Sequence, residues 1–250
     1  MGPLTIYWYG LFLVLAITAG IITAQFLARW HQINPEKIID LSLWLIISGL
    51  LGARIYEIFL EFSYYYHHPL NIFKIWEGGL AIHGGIIAGA IALYLFAHRY
   101  RFSSIKLAAM IVPALALGQA IGRWGNWFNQ ELFGRPTSLP WGIPIAIENR
   151  PWLYLFNDFF HPTFLYESLG CFLIFIILIY LSYRWRANLN TRRNIILINI
   201  YLLAYGSLRL ALEFIKVDTT PMLGIWRWPQ VISALIIIVS ISWLIKTFKK

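Results

Sequence analysis

Two arginines and one histidine set the chemistry open to this chain. Gln119, Arg123, Asn126 and Gln130 follow one another at i, i+4, i+7 and i+11, so a helix would carry all four on one stripe. Tyr205, Arg209 and Glu213 repeat at i, i+4 and i+8, again one helical face. A guanidinium is always charged and can hold a phosphate or carboxylate through two parallel hydrogen bonds. Either stripe could instead be a structural ion-pair ladder, since Arg209 and Glu213 can pair with each other. Arg54 and Glu57, at i and i+3, read as a local pair of that kind. His83 lies in Gly78-Gly79-Leu80-Ala81-Ile82-His83-Gly84-Gly85, a crowded turn where an imidazole could touch a ligand or serve as an ordinary hydrogen-bond partner. The chain has no Gly-x-Ser-x-Gly elbow, no His-Glu-x-x-His and no phosphate-binding loop motif. Its single cysteine, Cys171, sits in an apolar run and reads as a buried, inert thiol.

The elements that must position these groups are membrane helices. Of 250 residues 59% are hydrophobic and only 12% charged, against about 25% charged in an ordinary soluble domain. With a mean hydropathy of +0.65, a soluble fold would leave much apolar surface in water, and disorder or a coiled coil would need polar or repeated composition. The net charge of +9 is better explained as a topology signal than as a nucleic-acid footprint. Seven stretches are long enough to span: 4–28, 38–60, 79–97, 105–128, 162–183, 194–215 and 225–245. The first lacks a cleavage pattern and reads as a retained helix. The expectation is an all-α polytopic bundle of seven transmembrane helices forming a single integral membrane domain over 1–250. Residues 129–161 would be a small outer-face loop or arm. Twelve Lys and Arg fall on one side of the spans and six on the other, which puts the N-terminus outside and the C-terminus inside. Tyr64-Tyr65-Tyr66-His67-His68 reads as an interfacial aromatic belt rather than a metal site. Glycines spaced by four, 85 with 89 and 118 with 122, would let helices approach closely.

On that topology the polar groups gather in one half of the membrane. Tyr7, Tyr9, Arg54, Glu57, His83, Gln119, Arg123, Asn126, Glu167, Tyr205, Arg209 and Glu213 all fall toward the outer ends of their spans, and the inner halves are almost purely apolar. Ionisable groups inside a membrane are costly unless paired or hydrated and so mark function. A pore or an alternating-access transporter needs a polar route to both faces or a midplane site. A pocket open only to the outer face or leaflet suits an enzyme, or a carrier or receptor for an anionic ligand.

The run Gly122-Arg123-Trp124-Gly125-Asn126-Trp127-Phe128-Asn129-Gln130-Glu131, continuing to Gly134-Arg135, resembles the signature of prolipoprotein diacylglyceryl transferases. Tyr7-Trp8-Tyr9-Gly10, His83-Gly84-Gly85, His161-Pro162-Thr163 with Leu165-Tyr166-Glu167-Ser168, and Tyr205-Gly206 with Arg209, Glu213 and Phe214 are similar to that family's other motifs, in order along the chain. Gln130 stands where many members have glycine, Leu210 where an aromatic often follows the arginine, and Lys216 where arginine is frequent. The resemblance implies transfer of the diacylglyceryl group of phosphatidylglycerol to the lipobox cysteine of a preprolipoprotein, forming a thioether and releasing glycerol phosphate. It implies a bacterial cytoplasmic (inner) membrane setting with the active site toward the outer face. No metal or organic cofactor is called for. Arg123 and Arg209 would take the lipid phosphate, and Asn126 and Glu131 would hold the glycerol head group or orient the arginines. Tyr205 and Glu213 would position Arg209, and Tyr9 would line the head-group pocket. His83, flanked by Gly84 and Gly85 at the substrate site, would be the base for the thiol, or would merely shape a site in which the arginines activate it. Both substrates are amphipathic, so lateral openings near the outer face are expected. The alternative is a non-enzymatic polytopic carrier or receptor for an anionic lipid at the outer leaflet.

Overall fold

The computed structural model describes residues 8–249, so Tyr7 and the start of the first expected span lie outside the described residues. The chain is 75% helical. Seven long helices carry the apolar runs: α1 Trp8–Trp30, α2 Glu36–Leu60, α4 Ile82–Arg99, α5 Ser104–Phe128, α6 Thr163–Trp185, α7 Thr191–Glu213 and α8 Trp228–Lys249. A short α3, Phe62–His67, follows α2. Each long run forms a helix because only a structure that closes its own backbone hydrogen bonds tolerates hydrocarbon. Side chains cap two of the starts: Ser103 Oγ accepts from the Lys106 amide and Asn190 Oδ1 from the Arg193 amide.

α5 is the axis of the bundle, packing against α1 on one side and α6 and α7 on the other. At the end that carries residues 129–162, here the arm end, Trp8 stacks on Phe128 at 4.7 Å and Trp127 on Phe164 at 5.3 Å. The arm pairs β1 (Ile143–Pro144) with β2 (Phe159–Phe160) antiparallel around a small core of Phe133, Ile145 and Phe160. A hairpin of β3 (Met222–Leu223) and β4 (Trp226–Arg227) turns at Gly224, φ +61°, and leads into α8.

α2 and α4 pack tightly on each other and only lightly on α1 and α5. Gly52 and Gly84 face each other at their crossing, where a Cβ on either would clash with the other's backbone oxygen. Gly85 likewise approaches Gly49, whereas Gly89 faces open space. So the close approach uses 84 and 85, not the expected 85 and 89. Buried side chains shared by both helix pairs, among them Leu27, Leu41, Phe96 and Met110, lie at the opposite, far end. Toward the arm end the pairs diverge and leave a cleft.

Helix starts moved where turns intervene. α4 begins at Ile82 rather than 79 because Gly78 and Gly79 take φ of +95° and +69°. α8 begins at Trp228 rather than 225 because the hairpin occupies 222–227. Arg54 does not pair with Glu57. It is buried and donates to the carbonyls of Asn71, Ile72, Gly78 and Gly79, locking the 69–79 segment that delivers α4.

Candidate active site

Glu167, on the second turn of α6 and 1% exposed, is the centre of the polar cluster. Its Oε1 lies 2.8 Å from Arg123 Nη2 of α5, and its Oε2 lies 3.1 Å from Arg209 Nη1 of α7 and 3.4 Å from Lys216 Nζ. The Tyr205 hydroxyl donates to Oε1 at 3.3 Å. One carboxylate thus holds three cations drawn from two helices and the segment after α7. Two local devices fix that arrangement. Ser168 Oγ donates to the Ala120 carbonyl at 2.7 Å, tying α6 to α5 one residue from Glu167. Gly134 threads between His161, Thr163 and Ile215 so closely that a Cβ would lie 2.8 Å from His161 Cβ, and it bridges to Lys216. Burial pulls the Lys216 ammonium below its ordinary pKa, with Arg209 and Arg123 adding to this and Glu167 opposing it.

The network extends both ways. Beyond Arg209, Glu213 Oε2 is 3.6 Å from Arg209 Nη2 and its Oε1 3.2 Å from Arg227 Nε, with no aligned hydrogen bond to either oxygen among the described residues. Arg227 also meets Asp218 at 3.6 Å and donates to three carbonyls of the 213–218 turn. Beyond Arg123, Asn126 Oδ1 accepts from Nη1 at 3.2 Å and Asn126 Nδ2 donates to Glu131 Oε1 at 2.8 Å. Among the directly paired groups, Arg123, Arg209, Lys216 and Arg227 face Glu167, Glu213 and Asp218, one positive charge in excess. Both Arg123 and Arg209 side chains keep 21% exposure. Each guanidinium has five N–H donors, so neither is saturated by these partners.

Arg123 and Asn126 also line the cleft between the diverging helix pairs, together with Tyr9, Gln119 and Ile82. The cleft encloses about 440 Å³ and is otherwise walled by aliphatic residues and glycines of α1, α2 and α5, with Ser42 of α2 the remaining polar residue on its lining. Leu13 and Leu115 on its rim are exposed, so it opens sideways between helices. Tyr9 lies against Gly125, where a Cβ would approach its ring to 2.8 Å.

The structure thus brings Tyr9, Arg123, Asn126, Glu131, Tyr205, Arg209 and Glu213 into one cleft-and-network assembly. Tyr205 reaches Glu167 rather than Arg209. His83 stands apart, exposed on the first turn of α4 with Tyr56 as its ring neighbour at 6.2 Å, one residue from the cleft-lining Ile82. Gly84 and Gly85 serve the crossing with α2. Gln130 leaves the expected stripe because α5 ends at Phe128. It adopts φ +51°, and its Oε1 accepts from the Ala146 amide at 2.8 Å and Asn149 Nδ2 at 3.2 Å, tethering the arm. The hub Glu167 was missing from the expected site residues. Its signal was there: it is the one acidic residue in the apolar stretch 162–183, and a lone carboxylate there demands cations. Lys216 stood out only through the resemblance, and Arg227 carried no comparable sequence signal.

Comparison with known proteins agrees with this architecture. The sequence model of the prolipoprotein diacylglyceryl transferase family matches residues 1–246. A phosphatidylglycerol–prolipoprotein diacylglyceryl transferase of a Nostoc species is 46% identical over 93% of this chain and 82% of its own length. Proteins of the same name from Synechococcus elongatus and a Synechocystis species are 44% and 40% identical, over 93% and 98% of this chain and 80% and 87% of their own. Matched along its length by the family model and by these relatives, this chain belongs to the prolipoprotein diacylglyceryl transferase family.

Proposed function

We propose that this chain transfers the diacylglyceryl group of phosphatidylglycerol to the lipobox cysteine of a preprolipoprotein, at the outer face of the bacterial inner membrane. The observation that carries the reading is the pairing of Arg123 and Arg209 on the two oxygens of one buried carboxylate, with Arg123 also lining an apolar, laterally open cleft. Acyl chains enter the aliphatic part of the cleft, and the phosphodiester meets the unused guanidinium donors. The one positive charge in excess among the directly ion-paired groups suits one phosphodiester. The thiolate sulfur attacks the glyceryl carbon, the bond from that carbon to the phosphoester oxygen breaks, and the electron pair leaves on glycerol phosphate. Charge grows on that oxygen as the bond breaks, and removing one pre-aimed donor in such a site costs on the order of 100-fold in rate.

The thiol must first lose its proton, its ordinary pKa being about 8.5. His83 is the proposed acceptor: it stands exposed beside the cleft and faces no cation in the network. Asn126 and Glu131 orient Arg123, Glu213 orients Arg209, and Tyr9 lines the head-group end. The arm end faces outward because the Lys and Arg surplus gathers at the far end, on Arg29, Arg99, Arg101, Arg184 and their neighbours.

The test is a transfer assay with purified protein, phosphatidylglycerol micelles and a lipobox peptide, read by mass spectrometry. One added diacylglyceryl mass, absent when the cysteine is serine, is the expected result. No modification alongside an active transferase control would overturn the reading in favour of a lipid carrier. His83→Gln retaining full turnover would remove the base and leave thiol activation to the arginines.

A further inference from the structure

The far end of the bundle holds a second cavity for which the transfer reaction has no use. A groove of about 670 Å³ follows the seam where the first turn of α7 meets the last turns of α8. Arg192, Lys246 and Lys249 line it, with the hydroxyl-bearing Thr191 and Thr247 and the indole of Trp243. The Arg192 guanidinium lies 4.9 Å from the centre of the Phe248 ring, which holds it at the seam.

None of these three cations has an ion-pair partner among the described residues. The acidic residues at this end, Glu36 and Asp40, sit in the opening turns of α2, where Asp40 pairs with Lys37. A topology signal would need only the charges. Here the charges line a concavity with hydroxyl groups, beside the positive end of the α7 dipole. Uncompensated like charges facing one cavity repel unless an anion sits among them. Along α8 away from the groove, Leu235, Ile238 and Val239 are exposed, a path for hydrocarbon chains. Basic pockets between transmembrane helices on the cytoplasmic side recognise anionic head groups in just this way.

We propose that this groove binds the phosphate head group of an anionic glycerophospholipid in the leaflet opposite the transfer site, with its chains along α8. The site is independent of the transferase chemistry. Its test is native mass spectrometry of the full chain released from neutral detergent and titrated with dioleoyl phosphatidic acid. A basic group near an anionic head group is worth about fivefold in affinity, so R192Q/K246Q/K249Q should bind this lipid about 100-fold more weakly than the parent protein. Equal binding by the two proteins would overturn the proposal. So would equal retention of dioleoyl phosphatidylcholine, which would mean a merely apolar seam. Displacement by excess inorganic phosphate would assign the groove to a soluble anion and overturn the lipid reading. Should the triple variant lose its helical circular dichroism, K246Q alone decides, with about fivefold weaker binding expected.

Discussion

Replacing Glu167 by glutamine keeps the shape of the side chain and removes the charge that three cations share. In the native cluster the carboxylate sits 2.8 Å from Arg123, 3.1 Å from Arg209 and 3.4 Å from Lys216. Glutamine offers one oxygen to three donors and turns an NH2 group toward a guanidinium. Removing one partner of a buried ion pair costs about 3–5 kcal/mol. Because both arginine side chains are 21% exposed and can recruit water, the lower end, about 3 kcal/mol, is expected here. The catalytic effect follows from position. One guanidinium keeps an oxygen and the other meets an NH2 group, so the separation that the carboxylate sets is lost, and a displacement of about 1 Å at a reacting group costs on the order of 100-fold in rate. The site as a whole gains positive charge, so phosphatidylglycerol should bind no more weakly. Glu167→Gln should therefore lower kcat by about 100-fold and leave KM for the lipid unchanged or reduced. Glu167→Asp, which keeps the charge on a shorter stem, should recover part of the loss. The transfer assay at varied lipid gives both constants, and a thermal melt in detergent gives the stability change. Near-normal kcat with a normal melt would refute the hub role. A raised KM with unchanged kcat would mean that Glu167 serves binding and not the geometry of the step.

Further outcomes follow from other parts of the fold. Gly84→Val should lower stability by about 1–3 kcal/mol or prevent assembly, because a side chain there meets the Gly52 carbonyl; thermal melts and yield in membranes report it. Buried His31, whose ring nitrogens have no hydrogen-bond partner among the described residues, is pushed down to a pKa of about 4 by burial and by nearby Lys106. Its contribution, up to about 3 kcal/mol, should be complete above about pH 6.5 and lost as pH falls toward 4. His31→Leu should flatten that limb of the melting temperature against pH. Gln130→Gly should relieve a left-handed backbone position worth about 1 kcal/mol while freeing the arm at Ala146 and Asn149. Limited proteolysis within 145–158 should then quicken with little change in the melt.

The seven spans were legible because hydrocarbon thickness nearly fixes how long an apolar run must be. The gathering of polar groups at one end was legible for the same reason, since each polar residue's depth follows from its place in its run. The stripe Tyr205, Arg209 and Glu213 survived because helical period alone sets it. What the sequence did not disclose is which acid meets which base between helices. Arg209 could be paired with Glu213 by local spacing, yet its shorter contact is with Glu167, forty-two positions away. Arg54 misled for the complementary reason: its i+3 neighbour lost to the carbonyls of a loop whose path no periodicity describes. Gly84 shows a third limit. A glycine beside a histidine reads equally as a ligand contact or a helix crossing, and only the approach of Gly52 decides the structural duty.

The joining of the α2–α4 pair to α1 and α5 mainly at the far end has a mechanical consequence. Splaying helices about a buried root is a bending motion, and it leaves the packed surfaces of the root intact. The width of the cleft would then follow a balance between helix stiffness and the lateral pressure of the surrounding leaflet. In that setting the bilayer would act as a working part of the enzyme. Lipid packing density in the leaflet around the cleft would tune how readily a two-chain substrate enters and how readily the bulkier lipidated peptide leaves.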